Sequence, residues 1–427
     1  MIKGNKPGKI MLLLGDIALL YGALFLTLLI RYGSFPTQVL WQDHNLPFLF
    51  VNLTLIIIFY IAGLYDVEKS VHPAKIFYIA KTMAFGAGIA VLMFYFIPAF
   101  GITPKTNLFI DAAIASIFLW LWRMAYQKII TKGAKIKIFF FNLSSEISAF
   151  AKFINASPQL GYEMAENLAS ADLIIIPGKE KVSEESAKIL YEMVMKGKTV
   201  IEFYRFYEST TGKIPVPLIG ESWFLENVLE LDKRKFEQIK RFIDIVLAVL
   251  FFIPFTLLAP FTALAIKLTS KGSVFYKQKR LGKNGKIFEI RKFRSMAKDA
   301  EKDGAQWAQM RDKRITAVGK FLRKTRLDEL PQILSVIKGD LSFIGPRPER
   351  PEFVGELSQK IPHYSMRHIV KPGLSGWAQI NFPYGSSVDD SMQKLQYDLY
   401  YIKNRSLVLE AIIILKTIMT VLRIEGR

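Results

Sequence analysis

Four long apolar runs near the N-terminus constrain the fold of this chain more than any other feature. They cover residues 10–30, 47–65, 76–97 and 108–126. Each is close to the ~20 residues that a helix needs to cross the hydrocarbon core of a bilayer. The hydrophobic share of the chain, 51%, agrees with a membrane protein. We therefore expect residues 1–130 to form a bundle of four transmembrane helices.

The loops between these runs alternate in positive charge. The N-terminus, the loop that holds Lys69 and Lys75, and the segment from Arg123 to Lys137 carry most of the basic residues. Loops rich in lysine and arginine remain in the cytosol. This pattern places both ends of the bundle, and the chain after residue 130, on the cytosolic side.

Two carboxylates, Asp16 and Asp111, lie in or at the edge of the apolar runs. An intramembrane carboxylate can mark a transport pathway. Each of the two lies near a predicted helix end. We therefore favour a role in helix packing or at the membrane interface, with transport as the alternative.

Residues 131–232 alternate between strand and helix patterns. Segments 135–141, 171–177 and 199–204 read as buried strands, and segments around 145–154 and 184–196 as helices. This alternation predicts a small parallel α/β domain. A G-x-G-x-x-G fingerprint is missing after the first strand, so we expect a degenerate Rossmann-like domain with a structural or regulatory role. A nucleotide-sugar dehydratase or epimerase is disfavoured, because the Tyr-x-x-x-Lys pair, Tyr65 and Lys69, precedes every strand.

A fifth apolar run, residues 245–266, is not expected to cross the membrane. Lysines and arginines are dense on both of its flanks, so both favour the cytosol. Pro254 and Pro260 interrupt it, and an internal proline kinks a helix. We predict a re-entrant helix over residues 241–267 that breaks at Pro260, with a plain fifth span as the alternative.

The composition limits the chemistry. The chain has no cysteine and four histidines, none of them spaced as H-x-x-x-H. Thiolate nucleophiles and zincin sites are therefore excluded, and a hard cation is the expected metal. The net charge of +20 fits a phosphate-bearing substrate or an anionic membrane surface, and the apolar runs favour these over nucleic acid.

The last third of the chain is rich in residues that bind anions. Alternation along 290–296 puts Lys292 and Arg294 on one face of a strand. Asp328 and Glu329 adjoin each other and follow several cations, which favour the ionised carboxylate. Pro331 suits the first turn of a helix over 331–337, and this would place the acids at a helix N-terminus.

Two later segments complete this region. Prolines on both sides of Arg347 predict a stiff turn that aims its guanidinium, a group suited to phosphate. Residues 407–423 are apolar with interspersed charges, which is typical of an amphipathic helix on a membrane surface.

The motifs of residues 233–427 resemble one family when they are read together. In order they are KRFIDIVLA, FYKQKRLGKNGKIFEIRKFRSM, LRKTRLDELPQ, SFIGPRPE, KPGLSGWAQIN and YDLYYIKNRS. They are similar to the polyprenyl-phosphate hexose-1-phosphate transferases, bacterial sugar transferases that begin capsule, exopolysaccharide and O-antigen repeat units. The four spans and the degenerate domain look like the long form of that family, whose members include undecaprenyl-phosphate glucose and galactose phosphotransferases.

The resemblance implies a mostly α, monotopic catalytic domain on a re-entrant helix, at the cytosolic face of the bacterial inner membrane. It implies that Asp328 attacks the sugar-bearing phosphorus of a UDP-sugar and expels UMP. The resulting aspartyl intermediate then gives the phosphosugar to polyprenyl phosphate. Glu329 would assist at a shared Mg²⁺ site. Arg323, Arg347 and Lys292 match the family's phosphate-contacting residues.

The sequence departs from the family's pattern at two positions. Ala259 precedes Pro260 where many members have serine, and Arg326 precedes the Leu-Asp-Glu triplet where serine is common. The sugar stays open, with glucose or galactose 1-phosphate expected from the long form, and so does a homodimer. Two rival hypotheses are a non-catalytic scaffold of polysaccharide assembly and a transporter or lipid flippase.

Overall fold

A computed structural model describes most of the chain. It covers residues 6–65, 76–97, 105–132, 135–142, 144–178, 182–229, 233–297, 300, 314–382, 385 and 387–422. Lys69 and Lys75 of the basic loop, and Arg423 at the end of the predicted amphipathic helix, lie outside these residues. The chain divides into two compact units, Met1–Thr210 and Thr211–Arg427.

Four long helices begin the first unit. They are α1 Lys6–Tyr32, α2 Gln38–Ile61, α3 Ile76–Phe96 and α4 Lys105–Lys132. Buried residues from all four, among them Leu24, Phe59, Met83 and Leu119, form one apolar core. The expected second run began at residue 47, but α2 begins at Gln38, where the Thr37 side chain accepts a hydrogen bond from the Leu40 amide. This N-cap extends the helix through polar residues that apolarity alone would leave out.

A buried ion pair joins α1 to α4. Arg123 donates two hydrogen bonds of 2.7 Å to the Asp16 carboxylate, and both residues are buried. This agrees with the packing role favoured for Asp16. Arg123 was counted among the loop charges that predict the orientation of the bundle. This count is corrected, because Arg123 lies within the helix packing and not in a loop. Asp111 is buried as well.

Five described helices are long and apolar enough to cross a membrane. The qualifying segments are Ile10–Tyr32, Gln38–Ile61, Ile79–Phe96, Asn107–Tyr126 and Arg234–Thr269. The first four agree with the expected spans. The fifth contains the run that we predict to be re-entrant.

A parallel four-stranded sheet closes the first unit. Its strands are β1 Ile136–Phe140, β2 Tyr162–Met164, β3 Leu173–Ile176 and β4 Thr199–Glu202, in the order β2-β1-β3-β4. The accompanying helices are α5 Ser145–Asn155, the 3₁₀ turn Pro158–Leu160, α6 Glu184–Met195 and α7 Phe203–Thr211. The predicted small parallel sheet is confirmed. β2 was not predicted, since three residues are too few to show a periodic pattern.

The second unit is mostly helical. Its helical segments are a 3₁₀ turn Val216–Leu218, α8 Glu221–Phe224, a π-helical turn Leu225–Leu229, α9 Arg234–Thr269, 3₁₀ turns Lys283–Gly285, Leu327–Gln332 and Tyr364–Ile369, α10 Ala317–Lys324, α11 Ile333–Lys338, α12 Pro351–Lys360, α13 Trp377–Asn381, α14 Val388–Asn404 and α15 Leu407–Leu422. Its strands are β5 Phe275–Leu281, β6 Ile287–Phe293, β7 Ser342–Ile344 and β8 Gly373–Ser375. β5 pairs antiparallel with β6, and β7 parallel with β8.

Helix α9 packs one side along the core of the second unit. Ala248, Phe255 and Ile266 are buried in a cluster with Phe288 of β6 and Val336 of α11. The other side exposes large apolar residues, such as Leu257, Phe261 and Leu268. The helix continues through Pro254 and Pro260. The bend expected at Pro260 and the division at residues 130 and 232 stay predictions.

Candidate active site

The adjacent acids lie in a short 3₁₀ helix that follows a reversal of the chain. α10 ends at Lys324, and Arg326 then adopts a left-handed conformation with φ 60°. The 3₁₀ helix Leu327–Gln332 begins there, and Asp328 and Glu329 occupy its first turn. Pro331 was expected to start the helix, and this boundary is wrong, because the turn begins before it. The acids lie at a helical N-terminus as predicted, since the left-handed residue before them starts a new helical segment.

Glu329 is held by cations from three segments. Its Oε1 accepts a hydrogen bond of 2.7 Å from Lys292 Nζ and one of 3.2 Å from Arg347. Its Oε2 lies 3.8 Å from Arg326 Nη1. Burial would raise the pKa of Glu329, but Lys292, Arg347 and Arg326 outweigh it and hold that pKa well below its usual range. Glu329 is therefore an anion at neutral pH.

Asp328 is in a different state. Its side chain is buried, and its Oδ1 accepts no hydrogen bond from any residue that the structure describes. Burial and then repulsion by Glu329 raise the pKa of Asp328 to about 6, against the opposing charges of Lys292, Arg323 and Arg326. It is mostly ionised at neutral pH, yet it keeps an uncommitted oxygen. Environments that push two neighbouring carboxyls apart in pKa assign them different roles.

Lys292 reaches the acids from the hairpin of β5 and β6. It follows the buried Phe288 and Ile290 on the same face of β6. Arg294 does not join it there. The strand ends at Phe293, so the alternation no longer applies, and Arg294 donates hydrogen bonds of 2.8 Å to the Ser270 carbonyl and hydroxyl at the end of α9.

The two remaining predicted cations lie close to the acids. Arg323, on the last turn of α10, donates from Nε to Ser295 Oγ at 3.0 Å, and its charge lowers the pKa of Asp328. Arg347 lies between two prolines and contacts Glu329, so the turn aims it as expected. The structure thus brings together Lys292, Arg323, Arg347, Asp328 and Glu329.

Sequence reasoning missed the residues that fix α9 to this site. Arg241 donates to the carbonyls of Val336 at 2.6 Å and Ile337 at 2.7 Å, at the end of α11. Asp244 Oδ1 accepts from Ser342 Oγ at 3.1 Å and from the Phe343 amide at 3.0 Å. The only available signal was a charged residue placed within the start of an apolar helix, as Asp244 is.

A second missed anchor lies between α9 and the C-terminal helix. Lys240 donates to Glu410, which also accepts a hydrogen bond of 2.6 Å from Tyr401. All three are buried. Helix α15 therefore packs its acidic residue, Glu410, inward.

The donor set suits a magnesium ion better than a metal that needs a full protein cage. Among the described residues, no group of three or more His, Asp or Glu side chains could hold a metal. Mg²⁺ is commonly bound through one or two carboxylates together with substrate phosphates and water. The buried, uncommitted Oδ1 of Asp328 is a ligand of that kind.

An acid pair set among fixed cations, in a unit built on one long apolar helix, is typical of a membrane-associated enzyme that acts on phosphates. A family model described as "Bacterial sugar transferase" matches residues 235–424. A putative undecaprenyl-phosphate N-acetylgalactosaminyl 1-phosphate transferase of Bacillus subtilis (strain 168) is 49% identical over 130 residues, 30% of this chain and 72% of that protein. The chain belongs to the bacterial sugar transferase family.

Longer relatives match over the same region. The UDP-N-acetylgalactosamine-undecaprenyl-phosphate N-acetylgalactosaminephosphotransferase of Aeromonas hydrophila is 47% identical over 215 residues, 50% of each chain. The UDP-glucose:undecaprenyl-phosphate glucose-1-phosphate transferase of Escherichia coli (strain K12) is 40% identical over 184 residues, 42% of this chain and 39% of that protein. The matched region thus spans half or less of the length of these two relatives.

Proposed function

We propose that this protein transfers a sugar 1-phosphate from a UDP-sugar to undecaprenyl phosphate and releases UMP. The observation that carries the proposal is the contrast between the two acids. Glu329 is neutralised by fixed cations, whereas Asp328 keeps a buried oxygen without a hydrogen-bond partner among the described residues. A carboxylate held in this way can act as a nucleophile.

The reaction would proceed by two displacements at one site. In the first, an Asp328 oxygen forms a bond to the sugar-bearing phosphorus, and the bond from that phosphorus to the bridging oxygen breaks. UMP leaves with the electron pair. In the second, an oxygen of the lipid phosphate attacks the same phosphorus and the bond to Asp328 breaks. The product is a lipid-linked diphosphate sugar, and the free carboxylate returns.

The cations around the acids would neutralise the charge of these phosphates. Arg323 and Arg347 would contact the donor's diphosphate, and Lys292 would do so while holding Glu329. Charge stabilisation by preorganised groups is the principal catalytic term in phosphoryl transfer. Asp328 and Glu329 would hold Mg²⁺, which when bound supplies further charge neutralisation at the phosphates.

The packing of α9 supports a membrane-surface position for this site. Ala248, Ala259 and Ile266 all contact the same core, although about 27 Å of helix separates the first from the last. Cover by the catalytic core along one side favours a helix that lies at the membrane surface over a plain fifth span. We propose that α9 is re-entrant, with a bend at Pro260. We also propose that the site lies on the cytosolic side of the bacterial inner membrane. Arg294 would have a structural role, because it donates a hydrogen bond to the Ser270 carbonyl at the C-terminal end of α9.

The remainder of the chain would be arranged as residues 1–130 and 131–232. The first would be a four-helix transmembrane bundle, and the second a degenerate Rossmann-like domain. Undecaprenyl phosphate and a UDP-sugar are the proposed partners. Whether the protein forms a homodimer is decided by measuring its oligomeric state. The relatives' names extend the expected sugars from glucose and galactose to N-acetylgalactosamine.

Purified full-length protein with Mg²⁺, undecaprenyl phosphate and a panel of UDP-glucose, UDP-galactose and UDP-N-acetylgalactosamine tests the proposal. UMP release should occur with one or two of these sugars and should disappear in Asp328→Asn. Chelation of Mg²⁺ should also abolish it. A scaffold would instead support polysaccharide synthesis in cells when it carries Asp328→Ala. UMP release that is undiminished in Asp328→Asn would overturn the nucleophile assignment.

A further inference from the structure

The turn that carries Arg347 is fixed through its backbone carbonyls. Four consecutive carbonyls, those of residues 346–349, each accept a hydrogen bond. Gly373 N donates to Pro346 at 2.9 Å, and Leu281 N donates to Glu349 at 3.0 Å. The two carbonyls between them are held by side chains.

Both of those side chains are arginines. Arg367 Nη2 donates to the Arg347 carbonyl at 3.1 Å, and Arg280 Nη1 donates to the Pro348 carbonyl at 2.9 Å. They come from separate elements, since Arg280 lies on β5 and Arg367 on the 3₁₀ turn Tyr364–Ile369. The carbonyls of two successive residues, Arg347 and Pro348, are thus each held by a guanidinium.

Each arginine is itself locked. Arg367 pairs with the buried Asp398 at 2.7 Å and donates to Tyr364 Oη at 2.5 Å. Arg280 donates from Nε and Nη2 to Gln278 Oε1, at 3.1 and 2.5 Å. The Arg367 pair is almost fully buried, and taking two charges out of water opposes folding unless they are well paired. A turn whose ends are already bonded by main-chain amides has no evident structural need for it.

Both arginines bond the main chain at or next to Arg347. Arg347 contacts Glu329 with its guanidinium, while its own carbonyl and the next one are fixed by Arg367 and Arg280. We propose that Arg280 and Arg367 are positioning residues, which hold the main chain of Arg347 so that its guanidinium meets the donor phosphates in one orientation. This rests on the proposed function for the identity of the donor.

A double-mutant cycle between positions 280 and 347 tests this. If Arg280 acts through Arg347, Arg280→Met should lower kcat for UMP release by about 10- to 100-fold in the wild-type background, because small misplacements of a catalytic group have effects of this size. In the Arg347→Ala background it should change kcat by less than about twofold, as for residues that act as a unit. KM for undecaprenyl phosphate should stay unchanged. Arg291→Met, an exposed arginine on the same hairpin, is the matched control.

The same cycle should be read by the affinity for UDP with Mg²⁺, which needs no turnover. Equal fold-changes in both backgrounds, or no effect in the wild-type background, would overturn the proposal by either readout. Arg280→Lys replaces Arg280→Met, under the same criterion, if the thermal unfolding of Arg280→Met shows a disrupted fold. Absence of UMP release from the wild-type protein would count against the proposed function, while UDP affinity would still decide the role of Arg280.

Discussion

At the scale of single residues, the site depends on how Glu329 and Asp328 divide the available positive charge. Lys292 and Arg347 both bond Glu329, and the pKa of Asp328 is raised to about 6 by burial and by the charge of Glu329. Lys292 and Arg347 thus neutralise Glu329, while Asp328 keeps an oxygen without a hydrogen-bond partner among the described residues.

Replacement of this lysine should affect turnover strongly. Lys292→Met removes a charge from the acid pair and from the phosphate site, so kcat for UMP release should fall by about 10²- to 10³-fold, the range for loss of one preorganised donor. Lys277→Met is the matched control, since Lys277 lies on the outer face of the same hairpin with its side chain 57% exposed. Near-normal turnover in Lys292→Met would remove this lysine from the mechanism.

A histidine beside Arg367 predicts acid sensitivity. Burial and then the charge of Arg367 lower the pKa of His368 from 6.5 to about 4. A histidine buried in its neutral form contributes stability that is complete above about pH 6.5 and is lost as the pH falls towards 4. The contribution of His368 to this loss should be on the order of 2–3 kcal/mol. The raised pKa of Asp398, about 6, acts in the opposite sense over the same pH range.

Thermal unfolding of the full chain in detergent between pH 4 and 7 measures this effect. His368→Gln should make the protein lose less stability in acid than the wild-type protein does, and His363→Gln should leave the pH dependence unchanged. An unchanged slope in His368→Gln would show that other groups govern the acid sensitivity.

At the scale of elements, α9 and the hairpin of β5 and β6 bring distant segments to the 3₁₀ helix Leu327–Gln332, which carries the two acids. Part of this could be predicted from the sequence. The fifth apolar run predicted most of α9, and the strand pattern of residues 290–296 singled out Lys292. Arg294 shows the limit, since the strand ends one residue before it and its side chain meets α9 instead. The 3₁₀ helix that carries the acids starts at the left-handed Arg326, and no local sequence pattern predicts that conformation for an arginine. Contacts such as Lys240 with Glu410 join positions too distant for any spacing rule.

The link from Asp244 to β7 gives a prediction at this scale. Asp244→Leu leaves the Phe343 amide and the Ser342 hydroxyl without their acceptor, which should destabilise the fold by about 1–3 kcal/mol. Asp244→Asn keeps an oxygen acceptor and should be much milder. Thermal unfolding of both variants decides it, and equal stability of the two would contradict the proposed role of this contact.

At the scale of the whole molecule, long apolar helices occur in both compact units. In the first unit the Asp16 and Arg123 pair replaces the free loop charge that the sequence suggested. A bidentate pair buried among apolar helices specifies how α1 and α4 align. The orientation of the bundle stays a prediction from the remaining basic loops.

Breaking this pair from one side should be worse than removing it. Arg123→Met leaves Asp16 buried and unpaired, which should destabilise the protein by about 3–5 kcal/mol, whereas the double variant Asp16→Leu with Arg123→Met should recover most of the loss. Unfolding in mixed detergent micelles compares the variants. A double variant as unstable as Arg123→Met alone would argue against a packing role for Asp16.

Mass spectrometry of the protein after reaction with its UDP-sugar, in the absence of lipid acceptor, tests the central claim most directly. We predict that the peptide containing residue 328 gains the mass of a sugar phosphate on the Asp328 carboxyl, and that undecaprenyl phosphate removes it. UMP release without any adduct at Asp328, or an adduct on another residue, would contradict the account.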